Sequence, residues 1–102
     1  MIALYVRFVL KDEAAAVGFD ELVARTTPLI EAREPGTLQY VVHLVADAPL
    51  SRAFYEVYAD QAAFSAHERQ PHVKQFMAER QQYLASYQVD FLAPAGGKGL
   101  PR

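Results

Sequence analysis

Residues 34–60 read EPGTLQYVVHLVADAPLSRAFYEVYAD, and the fold turns on how this segment is parsed. Pro35 fixes its own φ and Gly36 admits positive φ, so Glu34-Pro35-Gly36 breaks whatever precedes it. Residues 37–46 (TLQYVVHLVA) are rich in β-branched and aromatic side chains and read as a long strand. Asp47-Ala48-Pro49 is turn chemistry. Residues 52–59 (RAFYEVYA) then form a second strand. So short a connection makes an antiparallel hairpin the natural pairing.

The flanks complete the pattern. Residues 2–10 (IALYVRFVL) are too short for a good helix and read as a strand. In residues 13–27 the period changes: Phe19, Leu22, Val23 and Thr26 fall at helical spacing. Pro28 is expected to kink or end that helix, leaving Leu29–Arg33 as a second short piece. Asp60 is placed to cap a short helix from Gln61 to about Arg69. Pro71 suits the first position of another helix, where no N–H is needed. Val73, Phe76, Met77, Arg80, Tyr83 and Leu84 then repeat at helical spacing. Residues 86–92 (SYQVDFL) alternate again, with Tyr87, Val89 and Phe91 on one face. Residues 93–102 carry Pro and Gly and read as a flexible tail. The order strand, helix, strand, strand, helix, strand is the ferredoxin-like split βαβ plan. The fold class is therefore α+β, a four-stranded antiparallel sheet with helices on one face, as a single domain over residues 1–92.

Composition sets the outer limits. The chain has 102 residues, 52% of them hydrophobic, with twelve acidic and ten basic groups for a net charge of −2. That balance supplies no basic patch for nucleic acid or a membrane surface. There is no Cys, hence no disulfide framework, thiolate nucleophile or sulfur-built zinc site. Met1–Arg7 is too short and wrongly flanked for a signal peptide. No apolar run approaches the roughly 18 residues of a membrane span. A cytoplasmic protein is expected.

Strand alternation divides the sheet into two faces. Ile2, Leu4, Val6, Phe8, Leu38, Tyr40, Val42, Leu44, Tyr55, Val57, Tyr87, Val89 and Phe91 form an almost wholly apolar set, assigned to the helices. The opposite set is mixed. Phe54, Tyr58, Val41 and Val45 on it are too apolar for a solvated sheet, and the same face of a second copy would cover them. His43, Glu56 and Arg7 on that face are placed to form a polar network across the seam. A homodimer is the expectation.

Three segments carry a resemblance. They are Glu34-Pro35-Gly36-Thr37-Leu38-Gln39-Tyr40, Phe54-Tyr55-Glu56-Val57-Tyr58-Ala59-Asp60, and Phe64-Ser65-Ala66-His67 followed by Pro71-His72-Val73. In order and spacing they resemble the E-P-G-small-L-x-Y, Y-E-x-W-x-D and h-x-x-H…P-H-F motifs of antibiotic biosynthesis monooxygenase (ABM) domains. Tyr58 stands where Trp is usual. The resemblance spans most of residues 1–92 and implies a dimeric α+β barrel with a pocket between sheet and helices. Known members oxidise quinol-like or anthrone-like aromatics with molecular oxygen and neither metal nor flavin. Others degrade haem or isomerise a small sugar derivative. An Asn–Trp pair used by some oxygenase members is missing, since this chain has neither residue. Met77 stands where haem-degrading members place an axial His.

What remains is histidine and tyrosine. His67 follows Phe64 by three on one helix, so both point the same way. In an apolar pocket its imidazole can take a proton from a phenol or quinol, leaving an anion that reacts with oxygen. The plain alternative is a helix-end His bonding a carbonyl. Tyr40, Tyr55, Tyr83, Phe76 and Met77, with Phe64, are expected to wall the substrate space, and His72 to lie at its mouth or to hold the helix connection. His67 and His72 are five apart with Pro71 between them, and no third ligand stands at a metal-site spacing, so no metal or cofactor is expected. The reading is a cofactor-independent monooxygenase for an aromatic quinol- or polyketide-like molecule. The alternatives are a non-catalytic small-molecule-binding or stress-related module, and a cofactor-free isomerase.

Overall fold

The structure, a computed structural model, describes residues 1–101. The elements run β1 (Ile2–Leu10), α1 (Glu13–Arg33), β2 (Thr37–Val45), β3 (Ala48–Tyr58), α2 (Gln61–Arg69), α3 (Pro71–Glu79), one 3₁₀ turn (Arg80–Gln82) and β4 (Leu84–Leu92). All pairs in the sheet are antiparallel, in the order β2-β3-β1-β4. This is the α+β, ferredoxin-like arrangement that the sequence order implies. Among the described residues no helix is long and apolar enough to cross a membrane.

Local chemistry places the helix starts. Asp12 Oδ1 accepts from the Ala15 N–H at 2.8 Å and caps α1, and Asp60 does the same for α2 through Ala63 at 2.8 Å. Pro71 opens α3. The helices cover one face of the sheet. Between the layers sits an aromatic cluster: Phe8 lies 5.2 Å from Phe19 and 4.9 Å from Phe54 between ring centroids, and Phe76 packs 6.2 Å from Phe54. Burying such a side chain contributes about 1.5–3 kcal/mol.

Four expectations are corrected. α1 is one continuous helix with Pro28 inside it. Pro28 returns no N–H to the Ala24 carbonyl, but Phe19, Leu22, Thr26 and Ile30 form one buried stripe that runs straight past it. The Thr26 and Thr27 hydroxyls donate to the Leu22 and Val23 carbonyls, each at 2.8 Å, in the turn just before the proline. β3 begins at Ala48, because the turn is Ala46-Asp47 with Asp47 at φ 63°. β4 begins at Leu84 rather than at residue 86.

The fourth correction is the phase of β3. Leu4 pairs with Glu56 and Val6 with Phe54, while Tyr5 pairs with Tyr55. Directly opposed residues share a face. Phe54, Glu56 and Tyr58 therefore face the helices with Leu4 and Val6, and Tyr55 and Val57 face away. Both phases of β3 are apolar, so alternation alone does not choose between them. Volume does: Phe54 and Tyr58, both essentially fully buried, fill the space under the helices. Glu56 is carried inward with them. His43 and Arg7 both stand beside Ala53 on the outer face, so Glu56 cannot complete a network with them. His43 instead pairs through Nδ1 with the Ala53 carbonyl at 3.2 Å.

Candidate active site

The inner face of the sheet and helices α2 and α3 enclose a cavity of about 200 Å³. Its floor is Leu4, Val6 and Phe8 of β1, Tyr40 of β2, and Phe54 and Glu56 of β3. Phe64, His67 and Glu68 come from α2, and Val73, Phe76 and Met77 from α3. Arg80 closes one end. Tyr87, Val89 and Phe91 of β4 form the mouth, where Phe91 is 65% exposed. The walls are mostly apolar, with a few polar groups aimed inward, as ligand sites are.

His67 is held from behind. Its Nδ1–H donates to Glu34 Oε1 at 2.6 Å, and both side chains are buried. Glu34 is the residue at which α1 ends. Its carboxylate also accepts from the Thr37 hydroxyl at 2.8 Å and, through Oε2, from His72 Nε2 at 2.5 Å. A carboxylate only accepts, so it assigns the proton to Nδ1 of His67 and to Nε2 of His72. Nε2 is then the ring nitrogen of His67 left for the cavity. Three donors on one buried carboxylate offset the loss of its hydration. The His67 ring packs 5.0 Å from Tyr58 and 5.7 Å from Tyr40.

Two further polar groups enter the cavity. Glu56 accepts the Tyr58 hydroxyl on Oε1 at 2.5 Å. Burial pushes its carboxyl above the ordinary value; the Tyr58 bond and the nearby His67 oppose this in part. Burial likewise raises the Tyr58 and Tyr40 phenols, Glu56 adding to both, so each remains a neutral donor. Arg80 sits among three rings, its guanidinium carbon 5.2 Å from the Phe8 and Tyr87 centroids and 5.5 Å from that of Phe76. Burial lowers its pKa, yet a guanidinium stays cationic. Its Nε is buried with no hydrogen-bond partner.

The structure thus brings together His67, Tyr40, Phe64, Phe76 and Met77 at one cavity. It leaves out three residues expected there. Tyr55 lies on the outer face, a consequence of the β3 phase. Tyr83 packs its ring against Gly18 of α1. His72 is buried behind His67 on the far side of Glu34, and its other edge meets a separate hollow between α1 and α3. Among the described residues no group of three or more His, Asp or Glu side chains is arranged to hold a metal ion.

Glu34 and Arg80 were not expected as site residues, and Glu56, a candidate base by its match to the family's strand glutamate, was expected on the dimer-facing side instead. Arg80 had a legible signal, since it follows Phe76 by four and Met77 by three on the same stripe. Glu34 had a fainter one, a carboxylate at a helix end in a chain with two histidines close together. Glu56 had its place in the Y-E-x-W-x-D resemblance, but the phase of its strand, and so the face it occupies, was undecided.

A family model described as antibiotic biosynthesis monooxygenase matches residues 1–79. No curated protein matches the sequence. Among solved structures, a candidate antibiotic biosynthesis monooxygenase from Bacteroides thetaiotaomicron superposes with a TM-score of 0.87 at 20% identity, over 99% of this chain and 94% of that one. Rv0793 from Mycobacterium tuberculosis gives 0.86 at 22% identity, over 96% and 98%. A candidate monooxygenase from Lactobacillus acidophilus gives 0.84 at 26% identity, over 90% of this chain and 43% of that one.

Proposed function

The chain belongs to the antibiotic biosynthesis monooxygenase family, and from that premise we propose that it oxygenates a small electron-rich aromatic, a phenol or quinol, with molecular oxygen and no resident cofactor. One observation carries the reading. His67, with Nδ1 tied to Glu34, forms part of the wall of an aromatic-lined cavity.

Volume limits the substrate. A cavity of about 150 Å³ holds a benzene ring. One of about 200 Å³ takes a one-ring or two-ring aromatic whole, and a larger polyketide would project between Tyr87 and Phe91. Phe54, Phe64 and Phe76 supply ring faces and edges. Arg80, stacked but lacking a carboxylate in contact, is free to bind a ring oxygen of the substrate and to stabilise the charge that develops there. His67 Nε2 takes the hydroxyl proton, and Glu34 stabilises the imidazolium that results. The electron-rich anion then meets oxygen in a site shielded from water. The substrate is its own reductant.

We also propose a homodimer closed through the outer face of the sheet. Tyr5, Tyr55 and Val41 stand in register across β1, β3 and β2 there, and Val41 is 45% exposed in the single chain.

Oxygen uptake with a panel of quinols and naphthols tests the enzyme. His67→Ala should lower the rate about 10²-fold or more. Equal rates in both proteins would remove His67 from the mechanism. Binding across the panel without turnover would favour the non-catalytic module.

A further inference from the structure

Of the two acidic residues in the cavity wall, Glu68 is exposed and Glu56 is buried. It stands mid-floor, opposed by Leu4 on one neighbouring strand and Tyr40 on the other, both of which also line the cavity. Its Oε1 is occupied by the Tyr58 hydroxyl, and no hydrogen bond within the protein reaches its Oε2. Among the described residues no Lys, Arg or His nitrogen lies within ion-pair distance of it; the acidic groups so paired are Glu79, Asp20 and Glu34. His67 and Arg80 share the cavity with it without touching it.

The contrast with His67 is physical. The imidazole has a carboxylate at its back, bonded to Nδ1. The carboxyl has Leu4 and Tyr40 beside it on the floor and no cation in contact, which favours its neutral form. An imidazole with a carboxylate behind it and a carboxyl with no cation in contact thus share one cavity, an arrangement that suits a base and an acid.

We propose that Glu56 is the catalytic acid of this cavity, carrying a proton on Oε2 that it gives to the peroxide formed when oxygen adds to the substrate anion. This rests on the monooxygenase reading and adds a proton donor to it, for a phenol with a hydrogen on the carbon para to its hydroxyl. The cycle balances. His67 takes the phenol proton. The para carbon of the phenolate bonds to oxygen, giving a dienone that bears a peroxide anion. Glu56 protonates that anion to the hydroperoxide and becomes a carboxylate. The carboxylate then removes the hydrogen from the same carbon as the O–O bond breaks. The departing hydroxide takes the proton held by His67 and leaves as water. The phenol has become a para-quinone by loss of four electrons. One oxygen atom is in the quinone and the other in water, and both side chains are back in their starting states.

Glu56→Gln is the test, because the amide oxygen can still accept from Tyr58 while the acid proton is gone. In infrared difference spectra at neutral pH the wild type should show a carboxylic-acid stretching band that the variant lacks. Mixed anaerobically with 1-naphthol, both proteins should develop the phenolate absorbance, and His67→Ala should not. On admitting oxygen, Glu56→Gln should form quinone about 10²-fold more slowly than wild type. A wild type without the acid band, or a variant whose quinone formation matches wild type, overturns the proposal. A wild type that shows the acid band and forms phenolate but takes up no oxygen overturns the monooxygenase reading instead.

Discussion

At the scale of single residues, the site depends on one carboxylate. Glu34 receives Thr37, His67 and His72 at 2.8, 2.6 and 2.5 Å, and these bonds decide which nitrogen of His67 meets the cavity. His72 acts here through Glu34 and not through substrate. Removing its donor leaves Oε2 of a buried carboxylate unpaired. A hydrogen bond to a charged group is worth about 1.5–3 kcal/mol, so His72→Leu should destabilise the protein by that amount in urea unfolding. His72→Gln, which restores an N–H of similar reach, should recover part of the loss and leave KM for the aromatic substrate unchanged. An increase in KM in that variant would return His72 to the substrate-binding set. Arg52, farther along β3, shows a purely structural use of charge: its guanidinium grips Asp20 of α1 with two bonds of 2.9 Å, pinning that helix to β3.

At the scale of elements, the position of α2 matters most, because it carries His67. Gly36 is needed there for a different reason from the one its sequence suggests. It does not take positive φ; Gly97 and Gly99 do. A Cβ on Gly36 would stand 2.6 Å from the Cβ of Ala63 and 3.4 Å from its Cα, so the glycine is what lets α2 sit down on the start of β2. Overpacking of this kind costs about 1–3 kcal/mol. Gly36→Ala should lower the urea midpoint accordingly, and adding Ala63→Gly should reverse most of the loss. A double variant no more stable than the single one would mean that the turn itself, not its contact with α2, requires glycine. α1 makes the complementary point. Proline inside a helix costs about 3 kcal/mol, yet the buried stripe on both sides of Pro28 holds the helix together.

At the scale of the whole molecule, the chain buries one face of its sheet and part of the other, where Ala3 and Val57 are covered while Tyr5, Tyr55 and Val41 stay partly exposed. The proposed second copy makes a direct prediction. Wild type should sediment as a dimer of the 11.4 kDa chain. Val41→Asp should shift it to monomer and lower its Tm, because two buried carboxylates would then face each other without partners. A wild type that is monomeric at every concentration would dismiss the interface. The polar outward residues of β4, Ser86, Gln88 and Asp90, confine the proposed contact to β1, β3 and β2.

Order of elements, the β2–β3 hairpin and the Asp60 cap were legible in the sequence because they follow from local periodicity and from Asp, Pro and Gly at element ends; the Asp12 cap of α1 was not read. His67, Tyr40, Phe64, Phe76 and Met77 were legible as companions because helical and strand spacing places them on predictable faces. The phase of β3 was not, since both of its faces are apolar and only the volume available beneath the helices favours Phe54 and Tyr58 inside. Glu56 came inward with them, Tyr55 went out, and His72 fell behind Glu34. Those three placements depend on contacts between residues up to 38 positions apart. Spacing along a chain describes which side chains share an element's face, and tertiary packing decides what that face meets.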